Sequence, residues 1–174
     1  MKREKKKEKK FGGFTLIEML IYVASLVLVI GTVAAMLVWL VRASNEVHVK
    51  NELAANIEHA LILMSNEIRE AQSVYAPTSV FESSPGQLSL KTRNSVPADE
   101  SSTYIDFFLC GTRLCVKRES QLPLAITTEK IEIQNLEFAP VQTGSARSIQ
   151  ITLGAAYRAA VQEMQTTVSL RMHE

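Results

Sequence analysis

Polar and apolar positions divide the chain into three stretches. Residues 1–10 are almost wholly charged, and Phe14 to Val41 are almost wholly apolar. Within that second stretch Glu18 is the one residue that carries charge, and the 23 residues from Met19 to Val41 contain none. As a helix rising about 1.5 Å per residue they span roughly 34 Å, enough for a hydrocarbon core of about 30 Å. Beyond Arg42 the apolar positions become periodic. Leu53, Ile57, Leu61, Met64, Ile68 and Ala71 recur every three or four residues, with Glu46, Lys50, Glu58, Glu67 and Glu70 on the other side. This predicts one helix from Thr15 to Ser73, about 88 Å long, apolar all round in its first half and amphipathic in its second.

After Val74 the period changes. Pro77, Pro85, Gly86 and Pro97 among many Ser and Thr predict a loop to Thr103, interrupted by a short strand at Gln87–Thr92. Strands are expected at Tyr104–Cys110 and Leu114–Arg118 about a turn at Gly111-Thr112-Arg113, and at Ile131–Phe138 with a bulge at Gln134-Asn135. Two more follow at Arg147–Leu153 and Met164–Met172, the latter with Met164, Val168, Leu170 and Met172 on one face. The fold class is α+β: a long N-terminal helix, transmembrane in its first half, packed on one antiparallel β-sheet. The expected divisions are residues 1–13, 14–41, 42–73 and 74–174.

Composition sharpens this picture. The 174 residues are 47% hydrophobic, 21% charged and 6% aromatic, with seven Gly and five Pro, which excludes collagenous and disordered classes. The net charge of +1 hides an asymmetry. Seven of the 19 basic residues lie in the first thirteen positions against two of the 18 acidic ones. The remainder is mildly acidic, which argues against a general nucleic-acid-binding domain. The Lys-rich tip is expected on the cytoplasmic side, sending residues 42–174 across the membrane. A cleavable secretory signal has a shorter apolar region and an A-x-A-like site, and none stands before Arg42.

A carboxylate four residues into such a span is costly unless paired, and the next basic residue along the helix is Arg42. Its partner is expected on another molecule or to arise by processing. The run Lys9-Lys10-Phe11-Gly12-Gly13-Phe14-Thr15-Leu16-Ile17-Glu18-Met19-Leu20 resembles the cleavage and methylation segment of type IV pilins and type II secretion pseudopilins. The resemblance implies cleavage between Gly13 and Phe14 by a membrane-embedded prepilin peptidase, which then methylates the new amine of Phe14. Glu18 becomes the fifth mature residue, placed to neutralise that amine on a neighbouring subunit.

The same resemblance implies a subunit held in the inner membrane, in contact with lipid, and drawn into a filament by an assembly platform with a cytoplasmic ATPase. Its partners are other pilin or pseudopilin subunits, and it is a substrate of an enzyme rather than an enzyme. Many major pilins carry a mid-span proline. Ala35 stands there in this chain, and Gly31 is the span's one helix breaker, which favours a minor subunit that primes assembly at a tip. The outer domain is loosely similar to minor pilins and J-type pseudopilins through Phe107-Phe108-Leu109, Leu122-Pro123-Leu124 and the run Ile131–Phe138.

Other chemistry is sparse. Cys110 and Cys115 bracket a four-residue loop at a hairpin tip, where opposite positions suit a disulfide in an oxidising compartment; two free thiols are the alternative. His48 and Glu52 are one helical turn apart but make an incomplete metal site. Asp99, Glu100 and Asp106 lack the spacing of a dedicated calcium loop. No metal or other cofactor is expected. Arg113, Lys117 and Arg118 form a small basic group that a DNA-uptake subunit could use, which leaves nucleic acid open as a partner. Phosphate loops, G-x-S-x-G and H-E-x-x-H motifs are missing, and no enzymatic activity is expected.

Overall fold

A computed structural model of the chain describes Gly13, residues 15–94, Val96, and residues 101–143 and 146–171. The expectations for the leader 1–12, Phe14, Pro97, Asp99, Glu100 and Met172 lie outside those residues. Packing divides the chain into two units, Met1–Asn45 and Glu46–Glu174.

The first unit is helical. Helix α1 (Leu16–Glu70) begins here, and from Thr15 to Asn45 each residue is exposed except the half-buried Glu18 and Ala43. Leu26, Leu28, Val29, Ile30 and Trp39 are all more than half exposed. This stretch is long and apolar enough to cross a membrane, with none of its apolar window buried within the protein. Its hydroxyls are satisfied inside the helix: Ser25 donates to the Tyr22 carbonyl at 2.9 Å and Thr32 to the Val29 carbonyl at 2.8 Å. That is the arrangement hydrocarbon requires, because no water is there to take a stray hydrogen bond.

In the second unit the remaining turns of α1 bury the anticipated stripe. Leu53, Ile57, Leu61, Met64 and Ile68 are buried, with Ala60 beside them, and Ala71 follows the helix end. The helix stops at Glu70 rather than Ser73. Gln72 N–H donates to the Lys91 carbonyl at 2.8 Å, and Ser73–Val74 pair with Leu90 and Lys91, so the chain is drawn into a sheet.

The strands are β1 (Ser73–Val74), β2 (Leu88–Thr92), β3 (Thr103–Cys110), β4 (Arg113–Arg118), β5 (Leu124–Ala125), β6 (Glu132–Thr143), β7 (Ala146–Tyr157) and β8 (Ala160–Ser169). A short 3-10 turn, Ala76–Thr78, follows β1. They form two antiparallel sheets, where one was expected: five strands in the order β1-β2-β3-β4-β5, and three in the order β6-β7-β8. The short β4–β5 ladder ends at Thr127. Ile126 N–H still donates to the Leu114 carbonyl at 2.8 Å, but Leu114 N–H then donates to the Thr127 hydroxyl at 3.1 Å. A side chain has replaced the next backbone partner, and the ladder stops.

The expected bulge is present as a register shift between Ile133 and Asn135. Gly154 lies opposite, and a Cβ there would meet the Asn135 Cβ at 3.1 Å, so glycine leaves the room that the extra residue needs. The long β6–β7 hairpin extends both strands beyond the range expected, with Pro140 opposite Ile149. One core joins the helix stripe to both sheets, through Leu88, Leu90, Ile105, Phe107, Leu114 and Val116 from one and Leu136, Phe138, Ile149, Ile151 and Leu153 from the other. Each such side chain contributes about 1.5–3 kcal/mol when fully buried. That packing, more than propensity, holds the second half of the helix.

Candidate functional site

At the N-terminal junction, Gly13 is exposed and in no regular element, and Thr15 immediately precedes α1. The Thr15 carbonyl accepts from Met19 N–H at 3.2 Å, and its hydroxyl accepts from Glu18 N–H at 3.3 Å. Thr15 is therefore the N-cap and Glu18 the third helical residue, the spacing of a capping box. The negative charge also lies in the first turn, where the helix dipole favours it. The expectation for Glu18 was an inter-subunit charge pair, and the capping role of Thr15 was not among the expectations. The Thr-x-x-Glu signal was available. Farther along, α1 runs without interruption through Gly31 and Ala35.

In the second unit Cys110 and Cys115 are joined as a disulfide, with Cα atoms 5.9 Å apart. The geometry differs from the one anticipated. The connection is two residues, Gly111-Thr112, with Gly111 at φ +70° as in a II′ turn. Cys110 faces Arg113 and Cys115 faces Phe108, so the cysteines are diagonal neighbours on one face of the hairpin rather than direct opposites.

The three basic residues do not form one group. Arg113 and Lys117 lie on the disulfide face, whereas Arg118 shares the inner face with Leu114 and Val116. Arg118 donates to Glu67 of α1 at 2.6 Å, and Arg113 pairs with Glu129 at 3.5 Å. Lys117 is opposite Asp106 in the ladder. Two of the three cations are thus engaged with carboxylates of this chain.

Nor do the candidate ligands gather. Glu52 accepts from Lys130 at 3.1 Å, holding the Lys130 ammonium above its usual pKa of 10.5 through that bond and the carboxylate's charge. His48 is exposed, and among the described residues no three His, Cys, Asp or Glu side chains come together. The concave features include an apolar groove lined by Val74, Phe81, Pro140, Ile149 and Leu170, and a polar one between the end of α1 and β8. In the polar groove Glu70 bonds to Asn94 and Ser169 to Ser148, and among the described residues no hydroxyl of either lining bonds to a carboxylate or imidazole.

No family model, curated protein or solved structure matches the chain.

Proposed function

We propose that the protein is a minor pilin or pseudopilin, a structural subunit of a type IV pilus-like or type II secretion-like filament. The observation that carries the reading is the unbroken passage from Gly13-Phe14-Thr15-Leu16-Ile17-Glu18 into a helix long and apolar enough to span a membrane. The α+β domain that follows, with a helix stripe packed against antiparallel sheets, supports it. On this reading the chain is cut after Gly13 and methylated on Phe14. It rests in the inner membrane with its tip cytoplasmic until other subunits and the assembly platform take it up. The Glu18 carboxylate neutralises the new amine of a neighbour, since either charge alone is costly beside lipid.

The deciding experiment is the intact mass of the protein from native membranes, with its N-terminal peptide sequenced. The expected chain begins at methylated Phe14. Retention of Met1–Gly13 in cells that possess a prepilin peptidase would overturn the reading and leave a plain signal-anchored domain.

A further inference from the structure

Among the described residues four strands lie at sheet edges, and three of those edges are closed. β1 and β5 are only two residues long. The outer side of β6 is occupied by backbone bonds: Glu82 N–H to the Phe138 carbonyl at 2.9 Å, Gly86 N–H to Leu136 at 2.7 Å, and Ile133 N–H to Thr112 at 2.7 Å. The fourth edge is β8, which pairs with β7 along all ten residues. Leu170 N–H donates to the Arg147 carbonyl at 3.0 Å, which fixes the phase of that ladder. Even-numbered residues turn their backbone groups toward β7. Val161, Glu163, Gln165, Thr167 and Ser169 turn theirs outward, and none of these is bonded to any other described segment.

Native edges are normally blunted by shortness, proline, lysine or a bulge. β8 has none of these, and its one charged residue, Glu163, accepts from the Asn135 amide at 3.1 Å. Beside its C-terminal half runs the polar groove, with Asn66, Arg69 and Glu70 of α1 on one wall and Thr167, Ser169 and Arg171 on the other. The Glu70 carboxylate accepts from Asn94, whereas Arg69 and Arg171 make no ion pair among the described residues. The open edge is thus bordered by two cations that form no ion pair among the described residues.

A second copy is a poor occupant. Antiparallel pairing of two β8 strands needs a twofold axis through the sheet, which reverses the Leu53–Ile68 helix of one copy against the other. Two chains entering one bilayer before that helix cannot meet so. That exclusion rests on the anchoring proposed above, although the strand site itself does not. We infer that β8 receives an extended segment of another protein as an added strand, with an acidic side chain of that segment at Arg69 and Arg171.

The test uses the full chain in lipid nanodiscs and fluorescence anisotropy with three labelled nine-residue peptides. All alternate threonine and valine. One carries two glutamates, one carries lysines in their place, and one repeats the glutamate peptide with alternate amides N-methylated. The glutamate peptide is expected to bind, and N-methylation to weaken it by about tenfold or more as edge bonds are lost. Thr167→Pro removes an outward N–H without breaking a bond to β7, and should have a similar effect with little change in melting midpoint. Replacing Arg69 and Arg171 by Ala should abolish the preference for glutamate over lysine. Failure of every peptide to bind, or equal binding of the methylated one, overturns the inference. So does self-association that Thr167→Pro abolishes, which would give the edge to a second copy. Because no peptide result bears on the N-terminus, these failures are distinct from failure of the filament reading.

Discussion

Arg118 and Glu67 form a direct electrostatic tie between the five-stranded sheet and α1, at 2.6 Å with the carboxylate side chain only 16% exposed. Arg118 sits on the inner face because strand alternation places it with Leu114 and Val116. At that position an unpaired cation would meet the helix, and Glu67, one residue before Ile68 of the buried stripe, answers it. The pair is more sheltered than a surface bridge and wetter than a core one. Glu67→Gln and Arg118→Met are each expected to cost about 1–2 kcal/mol, between the surface and buried limits. The double variant should cost less than the two single losses added together. A double-mutant cycle from urea titrations measures this, and strict additivity would mean the contact contributes nothing of its own.

The Cys110–Cys115 bond closes a very short loop, five residues apart in sequence. Chain-entropy arguments give so small a loop about 2 kcal/mol at most. Reducing agent is therefore expected to lower the melting midpoint of the wild type modestly and to leave that of the double Cys→Ala variant unmoved. Of the single replacements, Cys115→Ala should be the more costly, because Cys115 is 2% exposed while Cys110 is only half-buried. Thermal melts with and without reductant decide it.

Much of this domain was legible in the chain. The stripe from Leu53 to Ala71, the phase of each long strand and the bulge before Asn135 follow from local periodicity, which burial on one face enforces. The number of sheets did not follow, because it turns on which strands become neighbours across long stretches of chain. Nor does any periodicity record the Thr127 hydroxyl that takes a backbone donor thirteen residues away and ends the short β4–β5 ladder. The grouping of Arg113, Lys117 and Arg118 failed for a simpler reason. Residues close in sequence on a strand fall on opposite faces, and the alternation places Arg118 away from Arg113 and Lys117. At the junction, the Thr15 hydroxyl that accepts the Glu18 N–H is legible in the local Thr-x-x-Glu spacing.

The Thr-x-x-Glu spacing at the helix start makes Glu18 separable into two roles. Glutamine keeps the helix-starting side chain of a capping box but removes the charge, whereas alanine removes both. On the filament reading Glu18→Gln should insert and be processed normally, yet be poorly incorporated into filaments. If Glu18 serves only to start the helix, Glu18→Gln should behave as wild type and Glu18→Ala should be the impaired variant. Quantifying sheared filaments against the membrane pool for both variants separates the cases.

The segment after β5 is latched to α1 by a small polar network. Thr128 N–H donates to the Asn56 side-chain carbonyl at 3.3 Å, the Asn56 amide donates to the Glu52 carbonyl at 2.9 Å, and Lys130 donates to the Glu52 carboxylate at 3.1 Å. Glu52 raises the Lys130 pKa above 10.5, first through the hydrogen bond and then through its charge. A basic group whose folded pKa is raised stabilises the fold fully below its unfolded value and loses that contribution as pH climbs through the folded value. The melting midpoint of the wild type is therefore expected to exceed that of Lys130→Gln by a constant, small margin from neutral pH to about pH 9. The margin should shrink above pH 10.5 and vanish once the ammonium is neutral. Salt at 0.5 M should narrow it at neutral pH, because the pair is exposed and screened. A margin that persists undiminished at pH 12 would mean that the lysine acts through its aliphatic stem against the helix and that its charge contributes nothing.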